Sequence, residues 1–242
     1  MTRTLATSLA WAADGAAHLR GMMTRMGADA FAAPSGLPDW TRAHVLTHIA
    51  RNADAMVNLL HWARNGTPTP AYASPEQRDA DIATGAKRSP AEIRDDVIAS
   101  SDRLAAVVRD MPASAWSAVV EGPKGGAMPA SEVLWLRARE VWIHAVDLDI
   151  GAWFTDLPRP MLHELLDDAT QTLGARPEFP RLLLVPTDEQ RTWSVREDAD
   201  EGELTEVRGP VAELAAWLLG RSKGRSLRTA QGTRPTALPP WI

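Results

Sequence analysis

The sequence predicts a two-domain α+β protein, with a bundle of helices over residues 1–155 and a small α+β domain over 156–242. Three observations carry this. Apolar residues recur at helical spacing, between recognisable caps and breakers, through roughly the first 150 residues. The segment 131–149 contains no Gly or Pro and is apolar almost all round, as a helix covered on every side must be. After Gly151 the pattern shifts to short β-type runs.

The first helix is expected from Thr4 to about Met26, where Leu5, Leu9, Ala12 and Ala16 recur at helical spacing. Pro34-Ser35-Gly36-Leu37-Pro38 breaks the chain, and Asp39 or Thr41 can cap a second helix running to about Arg64. Asn65-Gly66-Thr67-Pro68 stops it. A polar stretch leads into 75–86, and Ser89-Pro90-Ala91-Glu92 offers a capping box for a helix over about 90–110. The Gly-rich stretch 121–127, including Pro123-Lys124-Gly125-Gly126, lacks the order and preceding strand of a phosphate loop and reads as a flexible turn. Beyond the 131–149 helix, another helix is expected at 158–173, then strands at Arg181–Val185, Arg191–Val195 and Leu204–Arg208. A last helix spans Val211–Leu219 and ends at Gly220, and the Pro-rich tail 235–240 is extended.

A formal net charge of -5 gives no basic excess, which argues against a nucleic acid or an anionic membrane as partner and leaves small molecules. No apolar run approaches membrane-spanning length, so a cytoplasmic protein is expected. The chain has no cysteine, which excludes disulfides, thiolate metal ligands and a cysteine nucleophile. Any thiol chemistry has to use an external thiol.

About 100° per residue puts Glu140 and His144 roughly 40° apart on one helix, on the side that carries Val133, Leu136, Arg137, Ile143 and Asp147. Trp135, Trp142 and Val146 lie opposite. An unpaired charge there would be costly, and Glu-x3-His offers one ion an oxygen and an imidazole nitrogen. On its own such a pair is more often a hydrogen-bonded pair than a metal site. The second helix supplies a third candidate: His48 shares a stripe with Val45, Asn52, Ala55 and Leu59, while His61 projects away and His44 lies at the edge. His48, Glu140 and His144 are therefore the candidate ligands of a divalent ion, zinc by preference, in the open three-ligand set typical of catalytic sites. Spacing alone does not bring them together; facing helices of a bundle can. Asp147 and Asn52 are candidates for supporting bonds behind the ligands.

Leu37-Pro38-Asp39-Trp40-Thr41-Arg42 leading to His48-x3-Asn52, and Ala138-Arg139-Glu140-Val141-Trp142-Ile143-His144-Ala145-Val146-Asp147-Leu148, resemble the mycothiol-dependent maleylpyruvate isomerases. The similarity continues through Leu60-His61-Trp62-Ala63, Thr69 to Glu76 and Pro129 to Arg137, covering nearly all of 37–150. The resemblance implies a DinB-like four-helix bundle followed by a small α+β domain. It implies zinc on His48, Glu140 and His144, and a functional arginine at Gly220-Arg221-Ser222, for which Arg225 or Arg228 are alternatives. In the C-terminal third it rests on the helix Val211–Leu219 and the ending Pro239 to Trp241.

The activity implied by the resemblance is that of a cis-trans isomerase, converting maleylpyruvate to fumarylpyruvate in gentisate-type aromatic catabolism. An external thiol, mycothiol or alternatively glutathione, adds to the activated double bond, rotation follows, and the thiol leaves. The diacid substrate calls for cations, with Arg221 and Arg137 as the candidates to hold carboxylates. A thiol S-transferase of the same superfamily, or a non-enzymatic zinc-stabilised module, would share the metal site. A monomer is expected.

Overall fold

The computed structural model describes residues 3–123, 125–196 and 202–239. It separates into two compact units, residues 2–152 and 153–242.

The first unit is built on four long helices: α1 (Leu5–Arg25), α2 (Arg42–Asn65), α4 (Pro90–Arg109) and α5 (Glu132–Asp147), with a shorter α3 (Pro75–Gly85). α1 packs on α5 and α4, and α2 packs on α4 and α5, which closes a ring of four. The caps are the ones legible in the chain. Thr41 accepts from the His44 backbone N–H, and His44 Nδ1 returns the bond to the Thr41 N–H at 3.3 Å. Ser89 and Glu92 close the capping box of α4, whose Pro90 sits in the first turn. α5 has no side-chain cap. It is launched instead from a short hairpin absent from the sequence expectation, β1 (Val119–Glu121) and β2 (Ala127–Pro129), through Ser131 N–H to the Trp116 carbonyl at 3.0 Å. The Gly-rich stretch expected as a turn is that hairpin's connection; Lys124 lies outside the described residues.

The buried stripe of α1 also differs from expectation. It runs through Ser8, Trp11, Ala12, Gly15, Leu19 and Met22, while Leu9 is exposed. The reason is close packing: a Cβ on Gly15 would lie 2.5 Å from Val141 Cγ2 and 2.7 Å from Trp142 Nε1, so small residues of α1 face α5. Trp142 Nε1 donates to the Trp11 carbonyl at 2.8 Å, which satisfies its N–H in the core.

α2 and α5 run antiparallel. Arg42 at the start of α2 donates to the carbonyls of Leu148 (2.7 Å) and Asp149 (3.0 Å) just past the end of α5, whereas Ile49 and Asn52, further along α2, meet Arg137 in the first half of α5. His48 therefore faces the middle of α5. Val45, His48, Asn52, Ala55 and Leu59 are all buried on that stripe.

The second unit carries α6 (Arg159–Gly174), α7 (Val211–Leu218) and a four-stranded sheet ordered β4-β3-β5-β6. Its strands are β3 (Leu182–Pro186), β4 (Trp193–Val195), β5 (Thr205–Gly209) and β6 (Arg228–Thr229). β3 and β5 are parallel, and both outer pairings are antiparallel. β6, with only two residues, gives no readable alternation. The tail beyond β6 has no regular structure through residue 239, and Trp241 lies outside the described residues. α7 ends in a Schellman motif: Gly220 has φ 75°, its N–H reaches the Trp217 carbonyl, and the Arg221 N–H reaches the Ala216 carbonyl at 2.7 Å. Arg221 is thus set at a fixed turn after α7.

Candidate metal centre

One turn of α5 presents Glu140 and His144 to the inward stripe of α2, and His48 meets them there. Glu140 Oε2 lies 2.8 Å from His48 Nε2 and 3.2 Å from His144 Nε2. The two imidazoles meet edge to face, with centroids 4.7 Å apart. Donor atoms of the three residues lie within 4.8 Å of one another, the one such convergence of three potential ligands found among the described residues.

The surroundings fix these side chains. His144 Nδ1 is 2.8 Å from the buried Asp147 carboxylate, which accepts the Nδ1 proton and sets Nε2 as the ring nitrogen that faces the cluster. Trp40 leans on His48, ring to ring at 5.7 Å. Behind His48, Nδ1 lies 3.3 Å from the Arg78 guanidinium on α3. Arg137 is buried and donates to the Ile49 carbonyl at 2.8 Å and to Asn52 Oδ1 at 2.9 Å.

Electrostatics follow from the burial. Burial works to raise the Glu140 pKa, but bonds from His144 and His48 outweigh it and hold the carboxyl well below its ordinary value. Burial likewise pulls His144 down, but Asp147 and Glu140 reverse this and lift it to about 9. For His48, burial wins over the Glu140 carboxylate and lowers the pKa. Tyr72 is raised by burial and by Glu140, against bonds to Arg78 and Asn52. Burial brings Arg137 down to about 10.

An ionised carboxylate between two imidazoles is a donor set that zinc accepts, and Asp147 is the kind of carboxylate partner that orients a zinc-bound histidine. With three protein ligands at most, a coordination position remains for an outside group. These residues fit a divalent ion, with His48, Glu140 and His144 as the ones to hold it.

Arg221 lies in the second unit, after α7, where its guanidinium donates to the Leu219 carbonyl at 2.9 Å. Arg225 and Arg228 lie in the same unit, and Arg228 starts β6. Asn52 and Asp147 hold bonds to Arg137 and His144 respectively. His61 is exposed on the far side of α2, and His44 serves the helix cap. Sequence reasoning gave Arg78 and Tyr72 no role, because a polar helix and the loop before it give no local sign that they meet His48 and Asn52, thirty and twenty residues back on α2.

The family model described as the mycothiol maleylpyruvate isomerase N-terminal domain matches residues 7–149, and that of the corresponding C-terminal domain matches 156–240. Among solved structures, a crystal structure of a mycothiol-dependent maleylpyruvate isomerase is 34% identical, with a TM-score of 0.93 and 100% of each chain covered. A histidine-to-alanine mutant of a mycothiol-dependent maleylpyruvate isomerase is 33% identical, again with a TM-score of 0.93 and 100% of both chains covered. A search of the curated proteins finds no match.

Proposed function

The chain belongs to the mycothiol-dependent maleylpyruvate isomerase family, and from that membership we propose that it catalyses the cis-to-trans isomerisation of maleylpyruvate to fumarylpyruvate in gentisate-type aromatic catabolism, using zinc and mycothiol. The observation that carries the reading is the convergence of His48, Glu140 and His144 in a chain without cysteine. Zinc held there would lower the pKa of an incoming thiol and present it as thiolate at neutral pH.

The remaining chemistry belongs to the substrate and the chain. As the thiolate forms an S–C bond to the cis double bond, the π pair moves into the conjugated carbonyl. The former double bond, now single, rotates; the pair returns, the S–C bond breaks, and the thiolate is regenerated as the trans product leaves. His48, Glu140 and His144 would hold the ion that receives the sulfur, and Asp147 would keep His144 in the ligating tautomer. Arg221 is proposed to hold a substrate carboxylate, where a bidentate guanidinium fits a carboxylate best. Arg137 contributes by fixing α2 against α5 through Ile49 and Asn52, both held by its Nη1, while Nη2 donates to Ser101 at 3.3 Å. A cytoplasmic monomer suits a small diffusible thiol and diacid, and no helix among the described residues is long and apolar enough to cross a membrane.

The test is to incubate zinc-loaded protein with maleylpyruvate and mycothiol or glutathione separately and follow the product's absorbance. Turnover with mycothiol is expected. No turnover with either thiol would remove the isomerase reading, and consumption of the thiol into a stable adduct with a test electrophile would replace it with an S-transferase.

A further inference from the structure

The two histidines of the centre are supported in opposite ways. Behind His144, Nδ1 faces a carboxylate, an acceptor that wants the Nδ1 proton. Behind His48, Nδ1 faces the Arg78 guanidinium, which can only donate. That bond requires a lone pair on Nδ1 and therefore a proton on Nε2, where it is donated to Glu140 Oε2 at 2.8 Å. A His48 that ligates through Nε2 carries its proton on Nδ1 instead, and two donors then confront each other across 3.3 Å. Arg78 in this position and metal ligation by His48 through Nε2 therefore oppose one another.

Arg78 has somewhere to go. Its side chain lines a cavity of about 610 Å³ beside α2 and α3, together with Arg51, Tyr72 and Arg88 and the carboxylates of Asp54 and Asp81. Arg51 and Arg88 are both tied to Asp96, at 2.9 Å and 2.5 Å, whereas the carboxylate paired with Arg78 is Asp79, an exposed neighbour that holds it weakly. Resting on the metal reading proposed above, we infer that Arg78 is the second substrate cation of this enzyme. It leaves His48 when that histidine ligates through Nε2, and its guanidinium then pairs with a carboxylate of the diacid. Loading the ion thus frees a cation for the substrate.

The experiment uses the full chain, stripped of metal, as wild type, Arg78→Ala and Arg78→Gln. Zinc affinity is measured by competition with a chromophoric chelator, and steady-state kinetics follow on the zinc-loaded proteins. Without the opposing donor, both variants should bind zinc about tenfold or more tighter, the scale on which partners behind a ligand act. The glutamine side chain keeps much of the arginine's bulk, and its amide oxygen can accept the Nδ1 proton. In both variants KM for maleylpyruvate should rise about tenfold or more, with a smaller change in kcat. Zinc affinity equal to or weaker than wild type in both variants, or an unchanged KM, overturns the inference while wild type still binds zinc and turns over. A wild type that binds no zinc instead removes the metal reading itself, and this inference with it.

Discussion

Glu140 accepts from two imidazoles through a single oxygen, so its charge is what keeps both rings aimed at one point. Glu140→Gln keeps the shape and removes the anion; zinc affinity should fall by at least about 100-fold, read by chelator competition, since changes even one shell further out cost about 10–100-fold. Asp147→Asn should weaken zinc by that smaller factor, because an amide no longer dictates the His144 tautomer. The pH dependence of the metal-free protein has a defined sign. His144, lifted to about 9, contributes stability that is complete below its ordinary value near 6.5 and is lost as pH rises from there to about 9. His48, lowered, acts oppositely, adding stability as pH rises toward 6.5. Thermal unfolding in chelator should therefore show a falling Tm between pH 6.5 and 9, and Asp147→Asn should flatten that slope. At this scale the sequence was legible where a residue sits on a regular helix: Glu140 and His144 fall on one turn by spacing alone. His48 needed the family's pattern to be joined to them, and Arg78 was not legible, since its meeting with His48 depends on where the turn after α2 returns the chain.

At the scale of elements, helix ends were readable because caps are local chemistry, as Thr41 and Ser89 show. The β1–β2 hairpin was not: three-residue strands give no alternation to read, and here they serve to start α5 where a side-chain cap is missing. Nor was the buried face of α1, because large residues such as Leu9 suggest burial, while the face that packs closest to α5 is made of small ones. Gly15→Ala tests that closeness. Its methyl would push Val141 and Trp142 on the helix that holds Glu140 and His144, costing about 1–3 kcal/mol by overpacking, read as a drop in Tm of several degrees. Gly220→Ala tests the turn that sets Arg221. A φ of 75° is strained for alanine, so the Schellman turn should shift; Arg221, its next residue, should lose its set, and kcat/KM should fall with little change in zinc affinity.

For the whole molecule, the change from helical to strand periodicity after Gly151 was the legible sign of two units, and it is a strong one because periods of 3.6 and 2 do not mimic each other. If Arg221 supplies a carboxylate contact from the second unit, Arg221→Ala should lower kcat/KM by about 10–100-fold at unchanged zinc affinity, as loss of one charge-assisted pair does. An unchanged kcat/KM in that variant would remove Arg221 from the reaction. The clamp of Arg42 on the carbonyls past α5, with the Gly36 N–H on the Asp147 carbonyl at 2.7 Å, bears on building such centres elsewhere. Three ligands copied onto another scaffold would leave the angle between their helices to chance. The portable unit is two segments, 33–52 and 137–149, which arrive already pinned to each other at one end.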